Sequence, residues 1–361
     1  MIISHEIPNV LLKSVPTTRY QGSKRRILPW LYENLKDLEF STVLDGFGGT
    51  GSVSYLFKLM EKEVTFNDVL VSNYQTGIAF IDNNSVKLEQ SDIEFLLFEN
   101  GFNYPTFIQD TFKDIYYFDF ENKWLDIVNF NIGMLSTQYS DDILEKKKAL
   151  AYHALFQACL CKRPFNLFHR KNLYLREANV ERSFSNKKMW DTDFSALFTK
   201  FAQEASQKIF SNGESNKATC KDIMKIKNEN FDLVYLDPPY TRSHDKYPKD
   251  YYSLYHFFEG LVDYEHWSSR INLSKKNKCL IKEQNEWEKN SIQDNFKGIF
   301  EEFQDSIIAI SYGDPGTPSI FEIRKLLSQY KSEISVIQKE YSYKLNHKNG
   351  NGLYEVLIIG K

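Results

Sequence analysis

The sequence predicts an α/β fold, an open nucleotide-binding sheet interrupted by a long insert. Three observations carry this. A strand pattern, a glycine-rich turn and a helix pattern follow one another over residues 41–60. A second apolar run, 233–236, ends on Asp237 and two prolines. Between the two, from about 86 to 214, the alternation of strand and helix patterns is lost.

Length and composition fit that outline. The 361 residues suffice for two modest domains or one large domain with an insertion. Hydrophobic residues make up 42%, enough for a sizeable core. The 28 Phe and 22 Tyr serve packing first, though aromatic faces also stack on bases. The net charge of −3 argues against gross polyanion affinity, but it hides a contrast. Residues 91–145 hold eleven acidic and two basic residues, and 146–188 hold eleven basic and two acidic. Such a basic block suits a local nucleic-acid surface, or else a solvated helix face. Cys159, Cys161, Cys220 and Cys279 form no CxxC pair and no metal spacing, which fits a reducing cytoplasm. The opening residues 1–12 include His5, Glu6 and Pro8 and make a poor signal peptide. No apolar run approaches membrane-spanning length.

In chain order, residues 17–36 come first. Tyr20 to Lys24 form a loop, and Ile27, Leu28, Leu31 and Leu35 have helical spacing. Ser23 is a plausible N-cap, and Pro29 suits a first turn. Lys24, Arg25 and Arg26 at a helix start oppose its dipole; a polyanion or a ligand carboxylate would supply the reason for them, or else this is an ordinary amphipathic helix. Next, Val43 and Leu44 form a strand ending on Asp45. Gly46, Gly48, Gly49 and Gly51 turn into a helix carrying Val53, Leu56, Phe57 and Met60 on one face. This is a nucleotide-binding arrangement. It satisfies G-x-G-x-x-G, so a dinucleotide is a competitor. Asp45, however, sits where a pyrophosphate would approach. The pattern reads better as D-x-F-x-G-x-G, the form that takes S-adenosylmethionine. Residues 64–68 form a second strand ending on Asp68, an acid suited to two ribose hydroxyls or simply to capping the next helix, 70–82.

Within the irregular region, 147–161 predicts a helix. Residues 162–176 then mix basic, aromatic, Asn and His residues, either for nucleic acid or as a polar surface hairpin. The candidates there are Lys162, Arg163, Asn166, Arg170, Lys171 and Asn172. Residues 212–221 read as a returning loop, and Asp222 as an acid near a bound adenine. Asp237-Pro238-Pro239-Tyr240 ends its strand in a stiff turn poor in N–H donors. Such a turn suits a ligand that donates hydrogen bonds, and open sheets place their chemistry at strand ends. After the polar stretch 241–250, a helix presents Tyr252, Tyr255, His256 and Glu259 on one face, with His256 an orienting or DNA-facing residue. Residues 277–282, 306–311 and 353–360 read as strands, 312–319 as a strand-end loop, and 320–330 as a helix.

With these pieces placed, the chain resembles the D12 class of adenine-specific DNA methyltransferases, the group of Dam-type enzymes. Tyr20-Gln-Gly-Ser-Lys24 looks like that family's N-terminal motif, Asp45 to Gly51 like its cofactor loop, and Asp237 to Tyr240 like its catalytic motif. The resemblance implies a Rossmann-like class I methyltransferase, a mostly parallel seven-stranded sheet carrying a target-recognition insert. The catalytic domain would comprise 1–85 and 215–361, and the DNA-recognition insert 86–214. S-adenosylmethionine would be held by Tyr20, Lys24, Asp45, Phe47, Gly49, Gly51, Asp68 and Asp222. Asp237, Pro238, Pro239 and Tyr240 would serve methyl transfer to adenine N6 in double-stranded DNA, without a metal. Further expectations are a cytoplasmic monomer or weak dimer, in a restriction–modification system or as a solitary or phage methylase. Rival readings are the same fold acting on cytosine N4 or RNA, a glutamine-modifying enzyme, an NAD-dependent oxidoreductase, and a non-catalytic DNA-binding subunit.

Overall fold

The computed structural model describes residues 14–178, 186–242, 250–340 and 354–361. The reading of residues 1–12 and most of the polar stretch 241–250 lie outside them. A seven-stranded sheet organises the chain. Its strands are β1 (Thr42–Asp45), β2 (Glu63–Asn67), β3 (Lys217–Thr219), β4 (Leu233–Leu236), β5 (Ile307–Asp314), β6 (Ile334–Glu340) and β7 (Tyr354–Gly360). Their spatial order is β3-β2-β1-β4-β5-β7-β6. The first five run parallel, and β7 is antiparallel to both of its neighbours. The central strands are buried on both faces, so they read as unbroken apolar runs. Their period of two still divides the core. Val43, Leu233 and Tyr235 pack on one side, and Leu44, Val234 and Leu236 on the other.

The first side is covered by α1 (Leu28–Leu35), α2 (Ser52–Leu59) and α3 (Val71–Gly77), the last running on through a wide turn at Ile78–Asp82. Buried Lys58 of α2 donates to the carbonyls of Phe80, Ile81 and Asn83, satisfying the end of that turn. The same core takes in the irregular region, which is helical: α4 (Gln90–Leu97), α5 (Asp119–Met134), α6 (Asp141–Lys162) and α7 (Phe194–Ser206), with shorter turns between. α6 is buried around most of its circumference from Ala149 onward, as a central helix must be. It starts earlier than residue 147 because Asp141 and Asp142 favour a first turn. After β4 comes α8 (Tyr251–Val262), whose Glu259 carboxylate accepts from the N–H groups of Val71 and Ser72 and so caps α3. The second side is covered by α9 (Ile292–Glu302) and α10 (Ile320–Leu327).

The structure differs from the sequence reading at several elements, β6 among them, since no strand was read over 334–340. Residues 277–282 form no strand; Leu280 makes an isolated bridge to Ile271. The returning loop contains β3, whose Lys-Ala-Thr has little strand propensity and is held by pairing with β2 at the sheet edge. The expected loop from Tyr312 begins three residues later, because Tyr312 to Asp314 remain paired with β7. Beyond them, Gly316–Thr317 pairs with Thr241–Arg242 and ties the segment after the Pro-Pro turn to the end of β5.

Candidate active site

β1, β2 and β4 are in register, with Asp45 opposite both Phe66 and Tyr235. The acids that end them, Asp45, Asp68 and Asp237, therefore converge at the carboxyl ends of the strands and line one cavity of about 320 Å³. That volume suits a cofactor-sized ligand. Tyr20, Lys24, Phe47, Gly49, Asp222, Pro238, Pro239 and Tyr240 share its wall. Gly51 does not; at φ +68° it is the left-handed residue that opens α2. Gly49, at φ +52°, meets nothing nearer than the Phe47 carbonyl at 3.8 Å from where a Cβ would stand, so its backbone faces open space.

The glycine loop is bound to its neighbours. Gly46 N donates to the Tyr235 carbonyl (2.9 Å), Gly48 N to that of Asn67 (2.7 Å), and Gly49 N to Asp68 Oδ2 (2.8 Å). The loop before α1 is fastened to it through Ser23 Oγ, 3.2 Å from Thr50 Oγ1 and 3.3 Å from Ser52 Oγ. Ser23 also caps its short helical turn, Lys24–Ile27, accepting from Arg25 N. Tyr20 stacks on Tyr255 at 3.9 Å, and Tyr255 Oη accepts from Gln21 N (2.8 Å).

The cavity is electronegative. Eight carboxylate side chains line it against three lysines. Asp45 is buried; its Oδ2 accepts from Ser54 Oγ (2.5 Å), and its Oδ1 has no partner among the described residues. Burial, with Asp237 and Asp68 nearby, pushes the Asp45 carboxyl up to about 7. Burial also raises Asp68 against its bonds from Leu70 N, Gly49 N and Asn73. Asp237 is pushed up to about 6 by burial, although Lys24 Nζ lies 3.1 Å away. Lys24 Nζ contacts Glu355 more closely, at 2.6 Å. Burial alone would lower the Lys24 pKa, but Asp237 and Glu355 together hold it well above the usual lysine value. Those acids justify a lysine at the helix start.

Tyr240 packs on Tyr312, ring centroids 4.5 Å apart, and against Gly313, where a Cβ would lie 2.0 Å from its hydroxyl. Asp222 lines the cavity, but both its oxygens already accept backbone N–H groups, from Met224 and from Glu286 and Trp287. It clamps the segment that carries Trp287, whose ring meets Phe47 edge-on at 4.9 Å.

The proposed DNA-contacting set divides. Lys162, Arg163 and Asn172 are buried and cannot face a duplex. Lys162 pairs with Glu121 (2.9 Å), which Arg176 also grips with two bonds of 2.7 Å. Arg163 donates to the carbonyls of Leu167, Arg170 and Tyr116, with its guanidinium over the Tyr116 ring. Lys147 pairs with Asp92, and Lys146 with Asp82 and Asp142. Lys146, Lys147, Lys162 and Arg176 of the basic block thus pair with Asp142, Asp92 and Glu121 of the acidic block, which composition alone did not reveal. Arg170 and Lys171 are exposed and Asn166 is half-buried. His256 is fully buried and 2.9 Å from Tyr116 Oη; burial lowers it to about 3, so it links α8 to Tyr116 as a neutral ring.

Sequence reasoning missed two parts of the site. Glu355 had a signal, a lone acid inside the apolar run 354–360. The wall residues Lys282, Glu283 and Asn285 had none, since they come from irregular chain. The cavity's excess of carboxylates and the orphaned Asp45 oxygen fit S-adenosylmethionine, which brings an ammonium and a sulfonium. They disfavour the pyrophosphate of a dinucleotide.

A family model described as D12 class N6 adenine-specific DNA methyltransferase matches residues 20–309. Among curated proteins, the chain is 26% identical over 354 residues to the type II methyltransferase M2.HphI of Haemophilus parahaemolyticus, covering 95% of this chain and 97% of that one. It is 24% identical over 362 residues to the type II methyltransferase M.NlaIII of Neisseria lactamica, covering 94% and 98%.

Proposed function

The chain belongs to the D12 class of N6 adenine-specific DNA methyltransferases, and on that premise we propose that its Asp237–Tyr240 turn receives the amino group of one flipped-out adenine. The observation that supports this most is the convergence of Asp45, Asp68 and Asp237 on one cavity with a donor-poor Pro-Pro turn at its rim. Adenine N6 is a weak nucleophile because its lone pair is shared with the ring. The Asp237 carboxylate and the Pro238 carbonyl accept its two hydrogens. Both bonds strengthen as positive charge develops on nitrogen, so they favour the transition state over the bound base. Tyr240, braced by Tyr312 and Gly313, offers a face for the base to stack on.

S-adenosylmethionine, the family's methyl donor, supplies an electrophilic methyl on sulfur when bound. Asp45 would hold its ammonium, Asp68 would hold its ribose hydroxyls, and Phe47, Gly49 and Tyr20 would line the rest. Holding donor and base side by side contributes much of the acceleration. Lys24 orients Asp237, and Asp222 shapes the wall through its backbone clamp.

Residues 86–214 act as the target-recognition insert, with Arg170, Lys171 and Asn166 on the DNA side. The relatives are named type II methyltransferases, which supports a place for this chain as the modification enzyme of a restriction–modification system. Tritium transfer from labelled S-adenosylmethionine to duplex DNA, followed by nucleoside analysis, tests the reading. Label in N6-methyldeoxyadenosine supports it; label confined to cytosine refutes it.

A further inference from the structure

Three chain segments far apart in sequence meet at the catalytic carboxylate. Lys24 comes from the first helical turn, Asp237 from the end of β4, and Glu355 from β7, beyond the residues that the family model matches. Glu355 is buried and fixed, since Ser311 Oγ on the neighbouring β5 donates to the same Oε1 that Lys24 contacts (2.7 Å). The ammonium lies 2.6 Å from Glu355 and 3.1 Å from Asp237.

A lysine bound to Asp237 alone would be a mixed benefit. It would hold the carboxylate in one orientation, leaving Oδ2 for the incoming amino group. It would also neutralise the charge that stabilises a cationic transition state, and place a second cation beside it. A second carboxylate on the far side of the lysine removes that conflict. The group of three then carries one net negative charge, with the ammonium drawn toward Glu355.

Resting on the assignment of Asp237 above, we propose that Glu355 is a positioning residue for methyl transfer: through Lys24 it orients Asp237 while drawing the ammonium's charge away from it. Glu355 does not touch the base; it sets the strength of the group that does.

The charged and titratable groups facing Asp237 are Lys24 from the first turn, Asp45 from β1, Tyr235 on its own strand, Tyr240 after the turn, and Glu355 from β7. Glu355 raises the Asp237 pKa and Lys24 lowers it. Removing the Glu355 charge therefore moves the acid limb of the pH–rate profile to lower pH, while the plateau falls. A residue needed only for folding lowers the plateau without moving the limb.

The test is Glu355→Gln in the full-length enzyme, with single-turnover methylation of duplex DNA followed from pH 5 to 9. We expect a plateau rate reduced at least tenfold, an acid limb displaced downward, and S-adenosylmethionine affinity within about threefold of the parent. Glu355→Asp keeps the charge, so its limb stays with the parent and its plateau lies between the two. A Glu355→Gln enzyme with the parental plateau and limb overturns the proposal, as does a lowered plateau with an unmoved limb. Should Glu355→Gln not fold, Ser311→Ala releases Glu355 and decides the same way, with a smaller displacement of the limb expected and none overturning it. Asp237→Ala is run alongside. Transfer that survives it refutes the role given to Asp237, a failure separate from that of Glu355.

Discussion

Asp45 holds a negative charge in a buried place, and replacing it by the neutral isostere should stabilise the enzyme while weakening cofactor binding. Its carboxyl is pushed up to about 7 from an ordinary 3.8. At about 1.4 kcal/mol per tenfold, keeping it ionised at pH 8 opposes folding by roughly 4 kcal/mol. The raised pKa sets the sign. The stability associated with protonated Asp45 is fully present below pH 3.8 and is lost as pH rises through 7. Asp45→Asn should therefore unfold at higher urea concentration than the parent at pH 8, by about 2–4 kcal/mol once relaxation is allowed for. The advantage should shrink toward zero near pH 4. The same substitution exchanges the carboxylate proposed to receive the cofactor ammonium for a neutral amide and so loses the charged part of a hydrogen bond of about 1.5–3 kcal/mol, or roughly 10- to 150-fold in Kd. Parental affinity should also fall, by up to tenfold per pH unit, as pH drops below 7, and the variant's should not. Urea titrations from pH 4 to 8 and calorimetric titration with S-adenosylmethionine supply the data. An Asp45→Asn enzyme less stable at pH 8, with a pH dependence parallel to the parent, would refute the assigned strain.

Other outcomes follow from the same geometry. Asp237→Ala should abolish methyl transfer and leave S-adenosylmethionine binding within roughly tenfold, about 1.4 kcal/mol; residual transfer above a few per cent would contradict its role. Gly313→Ala adds a Cβ 2.0 Å from the Tyr240 hydroxyl and should lower the methylation rate by displacing that ring, with cofactor affinity unchanged in a binding titration. Neutralising Arg170 and Lys171 together should flatten the log–log salt dependence of DNA binding by up to about 2. Lys162→Met should leave that slope alone and instead cost about 3 kcal/mol in urea unfolding, because Glu121 loses a buried partner.

The strands and loops nearest the chemistry were legible because their physics is local. A run buried on both faces that ends on an acid, and then on residues unable to extend a ladder, declares itself in four letters at Asp237. The glycine turn after Asp45 does so in seven. What stayed hidden depended on pairing across the chain. β3 exists because β2 offers it an edge, and β6 because β7 does. Lys162 and Arg163 looked like a surface because their partners, Glu121 and the Tyr116 carbonyl, lie over forty residues earlier. Asp222 was placed at the site, but its clamp on Glu286 and Trp287 was not legible, since only the fold brings their N–H groups to it. Glu355 joins the site only once β7 inserts beside β5.

The central claim is that the Asp237 turn accepts an adenine amino group and so fixes which atom is methylated. The direct measurement is nucleoside mass spectrometry on DNA from cells expressing the parent or Asp237→Ala, with the modified positions mapped by sequencing. The account predicts N6-methyldeoxyadenosine confined to one short sequence with the parent, and none above background with the variant. N4-methylcytosine as the product, or equal adenine methylation by both proteins, would contradict it.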